Sequence, residues 1–396
     1  MKGLILLISI VFISLYGGIN YYIGLRGWQN LWRHIPYLNN KTYWIVFSVI
    51  ATGYIISMLL PSFVPSIVGK ALNIIGSYWL AVMFYLIIII PIIDLIKLTN
   101  KIFPFIPKNL SDTSSFPLIV TAVVIILLFS VIIYGTWSGR SVVVTKYNVV
   151  INKHTENLQS LKIIMVSDIH LSGIVDNNRL TEMVNRINYL KPDLVLIPGD
   201  IIDSSLEPFI SEKMGDNFKR LKSKYGVYAC LGNHDGMKSS VEDVVKHFDD
   251  AGIKVLRDKA ALIDNSFYVI GRDDFSLQTS TKVKRKDLSD LTKDLDKSKA
   301  ILLMDHQPRN LSDVEKHGID LQVSGHTHHG QLFPANIITD RIYELDYGYL
   351  KKGNSSIIVS SGYGTWGPPI RLGSRSEIVE IIIKFKTNDI KNTKSN

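Results

Sequence analysis

Val227-Tyr228-Ala229-Cys230-Leu231, running into Gly232-Asn233-His234-Asp235, is the stretch on which the reading of this chain turns. Gly226 and Gly232 bound an apolar run that reads as a short buried strand. Directly after it the chain presents an amide, an imidazole and a carboxylate in successive positions, which suits binding far better than packing. The same pattern recurs on either side. Leu161–Val166 runs into Ser167-Asp168-Ile169-His170, and Asp193–Ile197 into Pro198-Gly199-Asp200. Downstream, Ala300–Met304 runs into Asp305-His306, and Ile319–Val323 into Ser324-Gly325-His326-Thr327-His328.

Between these runs the apolar period changes. In Arg179–Leu190, residues Leu180, Met183, Val184 and Ile187 are spaced for one face of a helix. Further helices are predicted at about Pro208–Tyr225, Val241–Ala251, Lys286–Lys297 and Leu311–His317. Ala261–Ile263 and Phe267–Ile270, separated by Asp264-Asn265-Ser266, read as an antiparallel hairpin. Ser141–Asn152, Ser356–Ser361 and Ile378–Phe385 supply more strands, the last two around the glycine-rich loop Gly362–Gly373. There are no repeats, and the residues from about Thr387 read as disordered. Strands alternating with helices predict an α/β fold, and the hairpin points to a second sheet packed on the first. Ligands in such folds bind beyond the carboxyl ends of the strands, which is where every flagged residue falls.

The first third reads differently. Apolar runs at Gly3–Leu25, Tyr43–Leu60, Leu72–Ile96 and Pro117–Tyr134 each approach the ~20 residues that cross ~30 Å of hydrocarbon as a helix. The first reads as a retained helix and not a secretory leader: only Lys2 precedes it, no small-residue cleavage site ends it, and three similar runs follow. Tyr21, Tyr22, Trp28, Trp32, Tyr43, Trp44, Tyr78 and Trp79 gather near the run ends, as interfacial aromatics do. Arg26, Arg33 and Lys41 in one loop and Lys97, Lys101 and Lys108 in another outweigh Lys2, Lys70, Arg140 and Lys146. By the positive-inside rule both termini lie outside, and so does the C-terminal part. Asp94 and Lys97, one turn apart, are both expected at the interface, and Pro91 is expected to kink the third helix.

The formal net charge of +9 suits an anionic membrane surface or an acidic substrate. No zinc-finger spacing, helix-turn-helix signal or aromatic–basic patch supports nucleic acid as a partner. Cys230 is the only cysteine, so the chain has no disulfide partner within itself.

Asp168, His170, Asp200, Asn233, His306, His326 and His328 offer oxygen and nitrogen donors and no sulfur, a set that favours Mn, Fe or Zn. Seven donors are too many for one tetrahedral ion with an open position, and fit two divalent ions that share a carboxylate and hold a bridging hydroxide as nucleophile. Asp168-Ile169-His170, Gly199-Asp200, Gly232-Asn233-His234-Asp235, His306 and Gly325-His326-Thr327-His328 together resemble the five blocks of the calcineurin-like metallophosphoesterase superfamily, and within it a bacterial membrane-associated branch. The resemblance runs from about residue 141 to the end and implies a four-layer αββα sandwich. It implies that Asp168, His170 and His328 hold one metal, that Asn233, His306 and His326 hold the other, and that Asp200 bridges them. It further implies that His234 protonates the leaving oxygen, with Asp235 orienting it. His329 stands where that branch has Gly. His329 and Arg371 are taken as substrate-binding candidates, with Trp366 beside them.

The expected molecule has a four-helix transmembrane region at residues 1–139 and the phosphoesterase domain at 140–396. It is a multi-pass cell-membrane protein with an extracytoplasmic catalytic domain, cleaving phosphate ester or pyrophosphate bonds. Its partners are the lipid bilayer and a phosphorylated lipid or cell-envelope substrate. The competing readings are a non-enzymatic metal-dependent membrane sensor and the accessory domain of a transporter. Among the remaining polar residues, Asp203 is expected to cap or brace and not to ligate. Asp305 is expected to point away from the site by strand alternation. Asp273 and Asp274 belong either to a turn or to the groove, and His247 and His317 to the surface.

Overall fold

The computed structural model describes residues 2–32, 35, 39–59, 66–111, 113, 115–153, 155 and 158–386. Arg33 and the stretch from Thr387, expected to be disordered, lie outside them. The chain divides into two units, Met1–Thr136 with Gly367–Ile370, and Trp137–Trp366 with Arg371–Asn396.

Among the described residues four helices are long and apolar enough to cross a membrane, within Lys2–Asn30, Asn40–Leu59, Ser66–Ile102 and Phe116–Arg140. The second and third approach closely because Gly76 lies against the backbone of Tyr54, where a Cβ would overlap. Trp28, Trp32, Tyr43, Trp44, Phe47 and Trp79 interlock ring against ring between the first three helices. Asp94 pairs with Arg26 and accepts from the Tyr22 hydroxyl.

The second unit contains two six-stranded mixed sheets. Sheet one is built from β1 (Val143–Ile151), β2 (Ser160–Met165), β3 (Leu194–Pro198), β4 (Val227–Cys230), β5 (Ile253–Val255) and the last strand, β12 (Glu377–Phe385), in the order β1-β12-β2-β3-β4-β5. Sheet two takes β6 (Lys259–Ile263), β7 (Phe267–Arg272), β8 (Ala300–Asp305), β9 (Leu321–Ser324), β10 (Gly348–Lys352) and β11 (Ser355–Val359), in the order β10-β11-β9-β8-β7-β6. The strands β2, β3, β4 and β5 run parallel, as do β7, β8, β9 and β11. The predicted hairpin is the antiparallel pair β6–β7.

Strand alternation sorts the apolar side chains into three layers. Leu161, Ile163 and Met165 of β2 meet Leu302 and Met304 of β8 between the sheets. Ile164 and Val166 face the other way, against Leu180, Met183, Val184 and Ile187 of helix Asn177–Leu190. Ile301 and Leu303 face outward on sheet two, against Leu288, Leu291 and Val314 of two short helices. The result is the αββα sandwich.

Several elements differ from expectation. The helix predicted at Pro208–Tyr225 is two short pieces, Glu207–Ser211 and Gly215–Phe218, with Lys213 in the left-handed region between them. On one continuous helix Phe209 and Phe218 would stand about 13.5 Å apart along the axis, whereas here their rings stack at 6.1 Å in the core. Burial of both rings overrides the local helical preference. The Lys-rich helix Lys286–Lys297 shrinks to Leu288–Thr292, the part whose leucines are buried. Helix Ala335–Ile342 and strand β10 carry no buried apolar stripe, and the sequence pattern missed both.

Candidate metal centre

The flagged residues follow the carboxyl ends of β2, β3 and β4 in sheet one and of β8 and β9 in sheet two. Asp168, His170, Asp200, His326 and His328 have φ of 50, 50, 54, 72 and 50°, in the left-handed region that non-glycine residues avoid. Each such residue costs on the order of 1–3 kcal/mol, and strain of this kind gathers at functional sites. Two glycines let the loops close in: a Cβ on Gly232 would overlap the Asp200 carboxylate, and one on Gly325 that of Asp168.

All seven donors converge. His170 Nε2 and His328 Nε2 face each other at 3.0 Å, and Asp168 Oδ1 lies 3.5 Å from His328 Nε2. Asp200 Oδ2 is 3.1 Å from His306 Nε2 and 3.8 Å from His170 Nε2, so it reaches both halves of the cluster. Asn233 Oδ1 lies 3.1 Å from His306 Nε2 and 2.8 Å from His326 Nδ1. Among the described residues three groups have ligand atoms close enough for one ion: Asp168 with His170 and His328, Asp168 with Asp200 and His306, and His170 with Asp203 and His234. Backbone amides add to the field: His326 donates to Asp168, and His234 to Asp200.

The cluster is buried, with Asp168, His170 and His306 inaccessible to solvent. Burial pushes the Asp200 carboxyl up, but His306, His234 and His170 together more than reverse this and hold it well below the carboxylate range. Burial pushes His306 down, and the negative charge and hydrogen bond of Asp200 win and raise it. Its partner across Asn233, His326, goes down to about 4 through burial and the neighbouring His306. His170 and His328 split in the same way, His170 raised by Asp203, Asp200 and Asp168 against its burial, and His328 lowered by burial, His170 and Arg371. Buried carboxylates set among imidazole nitrogens need compensating positive charge, which a cation held between them would supply. The residues fit a divalent cation.

Supporting residues depart from expectation in instructive ways. Asp235 does not touch the His234 ring; its carboxylate accepts from the backbone amides of Gly232, Asp200, Ile201 and Ile202 and so clamps the Asp200 loop onto the Asn233 loop. Burial and the nearby Asp200 push its carboxyl up to about 7, against the pull of those amides. The orienting role falls to Asp203. Its carbonyl accepts from His234 Nδ1, and its carboxylate lies 3.7 Å from that atom and 3.2 Å from His170 Nδ1. Expected as a cap or brace, Asp203 stands beside both rings, and its carboxylate belongs with them to a group that could itself hold an ion.

Arg371 is not placed to bind substrate. It is fully buried, and its guanidinium donates to the carbonyls of His328, Gly362 and Gly364 and to Ser374 Oγ, tying the last glycine-rich loop to the His328 loop. His329 is turned aside to Asp346, 2.9 Å away, which also accepts from Thr339 Oγ1. At φ 48° it takes a backbone conformation natural to glycine. Trp366, by contrast, stands in the site's surroundings, its ring 6.0 Å from that of His234. Asp305 points away, between Arg285 and Arg272. Asp273 pairs with Arg257, Asp274 accepts from Gln307 and the Ser276 amide, and His247 Nδ1 sits against its own helix at the Asp243 carbonyl. His317 closes the short helix Ser312–Lys316, away from the cluster.

The calcineurin-like phosphoesterase pattern matches residues 161–330. An uncharacterised metallophosphoesterase of Aquifex aeolicus is 32% identical over 270 residues, 66% of this chain and 100% of that protein. One from Campylobacter jejuni is 34% identical over 236 residues, 58% of this chain and 60% of its own length. A zebrafish (Danio rerio) protein described as a transmembrane protein with metallophosphoesterase domain is 30% identical over 246 residues, 59% of this chain and 55% of that one. The alignment thus spans less than two thirds of the Campylobacter and zebrafish proteins and all of the Aquifex one. The chain belongs to the calcineurin-like phosphoesterase family.

Proposed function

We infer that this protein is a membrane-anchored phosphoester hydrolase using two divalent ions, Mn, Fe or Zn. Asp168, His170 and His328 would hold one, Asn233, His306 and His326 the other, and Asp200 both. The observation that carries this reading is the position of Asp200 Oδ2, 3.1 Å from His306 Nε2 and 3.8 Å from His170 Nε2 and so within reach of both donor sets. Bound there, such ions lower the pKa of a water nucleophile and neutralise phosphoryl charge.

The chain's own residues do the rest. His234 Nδ1 donates to the Asp203 carbonyl, which leaves Nε2 as the nitrogen that can give a proton to the leaving oxygen. The Asp203 carboxylate, 3.7 Å from Nδ1, helps to hold the ring in place. Asp235 and Arg371 fix the two loops that carry the ligands, so the donors are held before substrate arrives.

The four apolar helices, and the printed description of the zebrafish relative, support a multi-pass location in the cell membrane. With the catalytic unit on the extracytoplasmic side, a phosphorylated lipid or cell-envelope phosphate becomes the substrate class. The test is metal content per polypeptide in the purified full chain, combined with hydrolysis of an aryl phosphate, pyrophosphate and a lipid phosphate. About two ions and metal-dependent release of phosphate are expected. A correctly folded protein that takes up one ion or none, or hydrolyses nothing with metal bound, would overturn the reading and favour a sensor.

A further inference from the structure

Of the large apolar side chains exposed on the catalytic unit, more than half lie on the connections after β4, β7, β9 and β11, the end that carries the metal donors. Helix Ala335–Ile342 is the clearest case. A helix on a soluble domain buries its apolar stripe and exposes its polar one. Here the isoleucines are exposed along with Asp340 and Arg341. Ile337, Ile338 and Ile342 are 44, 60 and 66% exposed, while Thr339 is tied to Asp346 and the start of the helix lies against Gly330. Phe333, one turn earlier, is 49% exposed and extends the same face. The helix abuts the site, because Tyr343 at its end stands 6.1 Å ring to ring from His326. Trp366, 55% exposed, continues the apolar rim beside His234, its backbone held by the Gln331 amide.

Basic residues punctuate this rim. Lys238 follows the exposed Met237, Lys282 and Lys284 flank the exposed Val283, and Arg341 precedes Ile342. Exposed apolar side chains set among lysines suit the interfacial zone of an anionic bilayer. A protein partner fits less well, since lysine is depleted at protein interfaces. The chain also leaves its last apolar helix at Arg140 and enters β1 at Val143, a tether of two residues. We propose that this rim is a bilayer-docking surface: helix Ala335–Ile342, Phe333 and Trp366 enter the headgroup region of an anionic phospholipid bilayer beside the metal centre. A phosphorylated lipid then reaches the ligands without leaving the membrane. For its substrate this rests on the hydrolase reading above; the docking itself does not.

Cys230 is the sole cysteine and is fully buried, so single-cysteine labelling of the full chain is clean. Ile338→Cys, and Ile342→Cys as its independent repeat, would carry a polarity-sensitive dye. Tyr189→Cys, at a site 85% exposed on a distant helix, serves as the control. The carrier is a nanodisc of phosphatidylcholine and phosphatidylglycerol containing a lipid with a nitroxide near its headgroup. Labels at 338 and 342 are expected to lose roughly half their emission to the nitroxide, as insertion to headgroup depth requires, with the label at 189 unchanged. Equal emission at all three positions would overturn the proposal. So would labels at 338 and 342 that are shielded from aqueous iodide yet not quenched by the lipid, because a protein surface would then cover the helix. Turnover of an aryl phosphate in the same samples keeps the two readings apart. Turnover without quenching sinks the docking alone; quenching without turnover of any phosphate supports docking and sinks the hydrolase.

Discussion

Sheets one and two have the same number of strands and the same mixed pairing, yet they bring different chemistry to their common rim. Sheet one delivers both carboxylates, Asp168 and Asp200, together with His170 and Asn233. Sheet two delivers imidazoles alone, His306, His326 and His328. Each of the two groups around Asp168 takes its last member from sheet two, whereas a third, His170 with Asp203 and His234, comes from sheet one alone. The negative charge of the centre therefore sits on one sheet and most of its neutral nitrogen donors on the other. The apolar layer between them, with Leu161, Met165, Leu302 and Met304, sets their separation. The site is a property of the sandwich and of neither sheet.

The sharpest way to break this division of labour is to remove the carboxylate that reaches both halves. Asp200→Asn should take turnover to background and lower metal content in both positions, read by elemental analysis of the purified chain. His234→Gln should lower kcat by ~10²–10⁴-fold with metal content unchanged, since the residue handles a proton and holds no ion. A finer cut compares two neighbours on β8. Leu302 faces the layer between the sheets and Leu303 the outer helices, and both are buried. Either change to Ala should cost ~2–5 kcal/mol in a denaturant titration. Only Leu302→Ala should also reduce turnover of the protein that stays folded, because only that layer sets the distance between the two donor sets. Asp203→Asn should cost ~10–100-fold in activity or metal affinity by loosening His170 and His234, with the fold intact by circular dichroism. His247→Ala should change neither stability beyond about 0.5 kcal/mol nor turnover, since its ring nitrogen hydrogen-bonds within its own helix.

Much of this was legible along the chain. A strand-sized apolar run followed at once by Asp, Asn or His is a local pattern, and local patterns survive in a linear sequence. So does alternation, which turned Asp305 away from the site and toward Arg285. What misled was adjacency. Asp235 follows His234 directly, and a carboxylate beside an imidazole suggests a pair, but the turn sends the carboxylate to four backbone amides on two loops. Arg371 lies in a glycine-rich loop and carries charge, which suggests an anion site, yet it is buried among carbonyls and serves the loop itself. The break at Lys213 was equally hidden, because the stacking of Phe209 on Phe218 that imposes it is a tertiary event. Helix Ala335–Ile342 escaped notice since it buries no stripe by which a periodic pattern is recognised.

By itself the amino-acid order determined that four segments are apolar enough for a membrane, that the rest alternates strand and helix, and which seven side chains stand ready as donors. Each of those outcomes depends on residues within a few positions of one another. Only the packed sandwich decided that donors as far apart in the chain as Asp168 and His328 share one buried cluster, that Asp203 and not Asp235 steadies His234, and that an apolar rim surrounds it. Those relations are made by the burial of two sheet faces against each other, an energy that belongs to the whole domain and is written at no single place in its sequence.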